Sequence, residues 1–324
     1  MNGIMPRKLI IDTDTASDDA VALIMALRWP DVEVEAITVV SGNVPLEQAT
    51  RNALYTAELC GSNVPVYMGA SKPLLREAAY ADWFHGKDGL GDQGYPPAKR
   101  APEAKHAVDA LIDTIKANPG ITLVTLGPLT NVALAVARAP EIVSHVSRCI
   151  VMGGAACTVG NVTPAAEFNV YVDPEAAQIV FHSGLPIEMV GWELCRGEAN
   201  IREHEIAYLR ELNTPLSQFA VDCNQVAIRA NYIQSKEIGM ALPDPVAMSI
   251  ALDPTVCTSK SQRYVEIETQ SELTRGMTVV DQLEVSRDER NSSLWRSLHS
   301  KAPITVCWAI DIPRWKDMLY SVLR

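Results

Sequence analysis

Residues 9–20 read LIIDTDTASDDA and place four carboxylates, Asp12, Asp14, Asp18 and Asp19, within eight positions. Like charges this close repel by several kcal/mol at the effective dielectric of a partly buried site, so a cation or a shared proton must compensate. The run follows a strand pattern and opens a helical one, and in an extended strand Asp12 and Asp14 share one side. A helix start offers a blander account, with Ser17 or Asp18 as N-cap and Asp19 as favourable charge in the first turn. That covers two of the four acids at most, and no helix end requires Asp12 or Asp14. The candidate ligands are all oxygens, with no cysteine or histidine pair at metal spacing, so the expected cation is hard: calcium first, magnesium second.

A further acid stands far along the chain, in Leu242-Pro243-Asp244-Pro245-Val246-Ala247. Asp244 can cap a helix that Pro245 opens, or it can belong to the acidic site. Glu167 and Asn169, in Ala166-Glu167-Phe168-Asn169, can be ordinary turn residues, as can Asn43 after Gly42. Asp173-Pro174-Glu175 reads as a helix start. Met152-Gly153-Gly154 makes a poor phosphate loop, because no Gly-Lys-Ser/Thr follows and an acidic site repels phosphate. No Gly-x-Ser-x-Gly elbow supports a serine hydrolase.

Only the fold can bring acids so distant in sequence together. Short apolar runs alternate with helical stretches, beginning with Leu9-Ile10-Ile11 and then Ala20, Val21, Leu23, Ile24 and Leu27 at helical spacing. Further strands are expected at 35–40, 64–68, 121–126, 148–152 and 186–190. The alternation predicts an α/β fold with an open, mainly parallel, doubly wound (Rossmann-like) sheet and helices on both faces. Uneven spacing and long inserts argue against a barrel. Ligands bind such sheets at the carboxyl ends of the strands, where the acidic run, Ser41-Gly42-Asn43, Gly127-Pro128-Leu129-Thr130-Asn131 and Met152-Gly153-Gly154 all stand. After about residue 200 the pattern is helical through Ile250, a helical insert in the C-terminal half. Strands such as 263–268 are expected to complete the sheet edge.

With 324 residues, 48% of them hydrophobic and 21% charged, the chain can bury a large core, and no linker-like or low-complexity stretch divides it. One domain over 1–324 is expected. A formal charge of −11 without any Lys/Arg-rich run disfavours nucleic acid as a partner. The first residues lack the apolar core of a signal peptide, and no apolar run reaches the roughly 20 residues of a membrane span, so a cytoplasmic protein is expected. Seven scattered cysteines, never in a C-x-x-C pair, suit reduced thiols.

Taken together these pieces resemble the inosine-uridine-preferring nucleoside hydrolase family, whose amino-terminal signature is D-x-D-P-G-x-D-D-A after the first strand. Here it reads Asp12-Thr13-Asp14-Thr15-Ala16-Ser17-Asp18-Asp19-Ala20. The likeness continues in order through Gly42-Asn43, Thr50-Arg51-Asn52-Ala53, His85-Gly86-Lys87-Asp88-Gly89-Leu90-Gly91, Gly127 to Asn131, Met152-Gly153-Gly154, Gly160-Asn161, Glu167-Phe168-Asn169, Asp173-Pro174-Glu175-Ala176-Ala177 and Asp244-Pro245. It covers nearly the whole chain. The resemblance implies hydrolysis of the N-glycosidic bond of ribonucleosides, in a homodimer or homotetramer. It also implies a calcium ion held by Asp14, Asp19, Asp244 and the backbone carbonyl of Leu126, with Asp14 as general base. By the same carry-over Asp18 and Asn169 bind the 2′-hydroxyl, Asp244 the 3′-hydroxyl, and Asn161 with Glu167 the 5′-hydroxyl. Asn43, His85, Met152 and Phe168 line the pocket, and Asp12 orients its neighbours.

The chain departs from the family pattern twice. Thr15-Ala16 replaces Pro-Gly, which leaves every acid in place. Pro243 stands where the best-known members carry a histidine that helps protonate the departing base, so either another residue donates the proton, with His85, expected in a mobile segment 82–91, or Cys195 as candidates, or stabilisation of the ribosyl cation leaves little need for acid help. Two other readings compete. A nucleoside-binding protein that has lost turnover would keep the pocket. A haloacid-dehalogenase-like phosphatase shares the strand followed by Asp12-x-Asp14-Thr15, but its later lysine and paired-acid motifs have no convincing counterpart here.

Overall fold

The first strand shows how this sequence builds its two cores. In β1 (Arg7–Thr13) the last five side chains are buried; Leu9 and Ile11 pack into the core on one face of the sheet and Ile10 into the core on the other. A strand covered on both faces has no polar side, hence the unbroken apolar run. The computed structural model describes residues 6–291 and 302–324. Its other strands are β2 (Val32–Val39), β3 (Val66–Met68), β4 (Ile121–Thr125), β5 (Val146–Met152), β6 (Ile187–Val190), β7 (Cys257–Arg263), β8 (Val265–Ile267), β9 (Thr278–Val280) and β10 (Ile304–Ile310). Eight of them form one sheet in the order β3-β2-β1-β4-β5-β6-β10-β7, parallel except for the antiparallel edge strand β7.

From β1 the chain moves outward to β3, then returns to the other side of β1 and moves outward again from β4 to β6. The reversal makes β1 and β4 the topological switch point, where the strand ends splay and leave a crevice. Asp12 lies there in register with Thr38 of β2 and Thr125 of β4.

On one face lie α1 (Ser17–Arg28), α2 (Leu46–Leu59), α11 (Pro243–Leu252) and α12 (Ile312–Leu323), while α4 (Ala107–Ala117), α5 (Thr130–Arg138) and α7 (Pro174–Phe181) cover the other. The short α3 (Asp82–His85) and α6 (Phe168–Val172) sit near the strand ends, and α8 (Glu203–Glu211), α9 (Pro215–Asp222) and α10 (Gln225–Ser235) form the helical stretch after β6. Helices α1 and α11 pack together, and residues Ser17 through Ala26 and Asp244 through Leu252 are all buried. Helices apolar on every side belong in the interior.

Three expectations need correction. Residues 263–268 do not complete the sheet edge: β8 pairs with β9 in a separate antiparallel ribbon, and β7 against β10 forms the edge. The sequence of β7, CTSKSQR, is polar and largely exposed, so an apolar-run reading passes over it. Neither Ser17 nor Asp18 caps α1. Ala16 holds the N-cap position, and the Asp19 carboxylate accepts its backbone N–H at 2.9 Å. Asp244 is no cap either, because α11 begins one residue earlier, at Pro243.

Candidate active site

The fully buried first turn of α1 and the start of α11 point at the same spot beside the end of β1. Asp18 and Asp19 come from the former and Asp244 from the latter; one carboxylate oxygen of each lies within 4.8 Å of the others. Both helix N-termini carry partial positive charge, which favours acids there but cannot neutralise three of them. Asp14 is also fully buried. Its Oδ2 accepts the Asn43 backbone N–H at 2.6 Å. A Cβ on Gly42 would overlap that carboxylate, and one on Gly127 would come within 2.6 Å of Asp14 Oδ1, so both loops need glycine to close around the acid.

The remaining partners hold the cluster rigid. Asp19 accepts from Thr13 Oγ1 at 2.6 Å through Oδ1, and from Asn43 Nδ2 at 3.3 Å through Oδ2. Asp12 Oδ2 accepts from Thr38 Oγ1 at 2.6 Å and from Asn131 Nδ2 at 2.9 Å. Asp12 thus ties β1 to β2 and to the start of α5.

Burial pushes every acid of this group up. Asp18 rises to about 6, and Asp19 to about 6 with Asp18 as second cause. Asp14 and Asp244 stand well above the ordinary carboxylate range, first from burial and then from the neighbouring aspartates. Asp12 rises to about 7, its hydrogen bonds to Thr38 and Asn131 offsetting part of the burial. Three buried oxygens, Asp12 Oδ1, Asp14 Oδ1 and Asp18 Oδ1, have no hydrogen-bond partner in the protein. Orphaned oxygens in a crowd of like charges fit a hard cation, which would supply the missing positive charge and the missing partner together.

Above the acids opens a pocket that encloses about 960 Å³ of space, part of it continuous with solvent. Asp18, Asn43, His85, Leu126, Met152, Asn161, Glu167, Phe168, Asn169 and Asp244 all line it, whereas Asp14 and Asp19 lie beneath its floor. Asn169 Nδ2 donates to the Leu126 carbonyl at 2.8 Å and to the Met152 carbonyl at 3.2 Å. Glu167 is the N-cap of α6, accepting from the Asn169 and Val170 N–H groups, and it also accepts the Gly154 N–H at 2.8 Å. Burial raises it to about 7. Asn161 Oδ1 accepts the Phe168 N–H at 2.9 Å.

The two donor candidates also line the pocket. His85 is buried in α3, with Nδ1 2.8 Å from Ser17 Oγ and 3.7 Å from Asp18 Oδ1. Burial lowers it to about 4, against a smaller opposing pull from Asp19, so the ring is neutral near pH 7. The Cys195 thiol is pushed well above its ordinary value by burial, then by Glu193, and stays protonated.

Sequence reasoning missed a wall of the pocket built from Tyr80, Trp83, Phe84, Trp192, Arg196, Asn231, Gln234 and Glu237. These residues sit on short helices and loops with no motif among them. Only the scarcity of tryptophan, six in the chain, gave Trp83 and Trp192 any prominence.

A pocket at the switch point of a doubly wound sheet, floored by buried carboxylates and walled by aromatics, defines a hydrolase for a small polar substrate with one flat apolar part. The comparisons name the class more closely. Residues 9–317 match the family model described as inosine-uridine preferring nucleoside hydrolase. The pyrimidine-specific ribonucleoside hydrolase RihA of Salmonella paratyphi B is 39% identical over 296 residues, which is 90% of this chain and 93% of that protein. Among solved structures, a plant nucleoside hydrolase superposes with a TM-score of 0.91 at 32% identity, covering 98% of this chain and 99% of the other. A purine-preferring ribonucleoside hydrolase from Gardnerella vaginalis gives 0.87 at 32% identity, with 98% of both chains covered. The chain belongs to the inosine-uridine preferring nucleoside hydrolase family.

Proposed function

We propose that this protein uses water to cleave the N-glycosidic bond of ribonucleosides, releasing ribose and the free base. The observation that carries the reading is the convergence of Asp18, Asp19 and Asp244, with Asp14 close by and bonded to Asn43, at the base of a pocket that Asp18 and Asp244 line. Bond cleavage builds positive charge on the ribosyl ring, and preorganised carboxylates stabilise it. Asp14 takes the proton of the attacking water. Asp18 and Asn169 hold the 2′-hydroxyl, Asp244 the 3′-hydroxyl, and Asn161 with Glu167 the 5′-hydroxyl. Asn43, His85, Met152 and Phe168 shape the pocket around the substrate.

The donor set fits calcium, with Asp14, Asp19, Asp244 and the Leu126 carbonyl as the residues that hold it. When bound, the ion supplies positive charge beside the attacking water and a template for the ribose diol. RihA and the Gardnerella enzyme are named for opposite base preferences, so a panel of the common ribonucleosides is the direct test. Release of free base and reducing sugar, lost on exhaustive calcium removal and restored by calcium, is expected. A panel with no free base from any ribonucleoside, despite measurable binding, marks a nucleoside-binding protein instead. We further read the protein as a cytoplasmic homodimer or homotetramer on family likeness. Among the described residues no helix is long and apolar enough to cross a membrane, and sedimentation measures the assembly.

A further inference from the structure

The pocket is electrically lopsided. Its floor and one end carry Asp18, Asp244 and Glu167, while among the described lining residues Arg196 is the one Lys or Arg and is paired with a fourth acid of the lining, Glu237. Its guanidinium lies over the Trp192 ring, 4.4 Å from the centroid. Arg196 Nε donates to Glu237 Oε1 at 2.9 Å, and Nη2 is 2.9 Å from the same oxygen. The other Glu237 oxygen is engaged by the Gly197 N–H at 2.8 Å and by Asn200 Nδ2 at 2.9 Å. Backbone pairing of Ile201 with Met240 ties this loop to the segment that leads into Pro243 and Asp244. The cation is therefore fixed in direction by an aromatic face and a carboxylate that three groups share.

We infer that Arg196 takes up the negative charge of the departing nucleobase. The inference deepens the hydrolytic reading and rests on it. Heterolysis sends the C1′–N bonding pair to the base and leaves the ribosyl carbon positive. Water adds to that carbon and its proton passes to Asp14; the base anion then takes a proton from solvent, and Asp14 returns its own. Positive charge develops beside the acids of the floor and negative charge develops on the base, and the oriented guanidinium of Arg196, its own charge balanced by Glu237, is the cationic group on the wall that can meet it. Trp83, an exposed indole, offers a flat apolar surface of the kind a base needs, and Arg196, seated on Trp192, lines the same pocket. Glu237 is a positioning residue, acting on the base through the guanidinium it orients.

The test compares uridine and inosine with 4-nitrophenyl riboside, whose leaving group departs as a stable anion without assistance, in the calcium-loaded enzyme. Arg196→Gln is expected to lower kcat on the nucleosides by roughly 10²- to 10³-fold, the usual loss for one charge-stabilising donor, with little change in KM. Turnover of 4-nitrophenyl riboside falls only a few-fold and reports that the variant is folded. Arg196→Lys restores part of the nucleoside activity, and Glu237→Gln shows a smaller loss with the same selectivity. Full nucleoside kcat in Arg196→Gln overturns the inference, as does an equal loss on both substrate types repeated in Arg196→Lys. A wild-type enzyme inert toward every ribonucleoside refutes the hydrolytic reading itself, a result distinguishable from either of these.

Discussion

If calcium occupies the acid cluster as proposed, removing it should change the stability of this protein in a pH-dependent way whose sign the buried acids set. Asp18 and Asp19 are raised from 3.8 to about 6 by burial. Between those values the folded, calcium-free protein holds protons that the unfolded chain has already released, so the stability contributed by these two groups falls as pH rises and levels off above about pH 6. A rise from 3.8 to about 6 corresponds to about 3 kcal/mol for one such group, at about 1.4 kcal/mol per pH unit, and coupled neighbours do not simply add. Calcium binds the ionised form and relieves that cost, whereas at pH 4.5 protons occupy the same oxygens and calcium has little to relieve. For a chain of this size 3 kcal/mol moves Tm by about 5 °C. Protein stripped of calcium by dialysis, then scanned with and without added calcium, should show a Tm difference near zero at pH 4.5 and about 5 °C or more at pH 7.5. An equal difference at both pH values, or none at either, refutes the electrostatic account of the cluster.

Three further outcomes follow from the same geometry. Asp14→Asn removes the proposed base and a proposed ligand while keeping the side-chain volume, and kcat should fall by at least ~10²- to 10⁴-fold in steady-state assays. Nucleoside 5′-monophosphates should be refused because Glu167 repels a phosphate. 2′-Deoxynucleosides should be poor because Asp18 and Asn169 lose a partner; comparing kcat/KM with the parent ribonucleosides checks both.

The acidic floor was legible in the sequence because its residues are crowded for no structural reason. Asp12 and Asp14 satisfy no helix end, and the buried strands announce the sheet that carries them. Asp244 was harder, since a lone acid next to proline looks like a cap. Only the start of α11 at Pro243 removes that account. Strand β7 escaped notice because an edge strand can be polar on both sides. The wall of Trp192, Arg196 and Glu237 is assembled from segments some forty residues apart, joined by side-chain contacts that no local pattern encodes.

Because α1 and α11 are buried along almost their whole length, the acids at their first turns cannot come apart unless the main core opens. Amide hydrogens in that region should therefore exchange with solvent only through global unfolding, at rates that track total stability, while those of the four-residue α3 should exchange through local opening. Asp18 and Asp244, proposed above to hold the ribose diol, thus belong to the slowest cooperative unit of the protein.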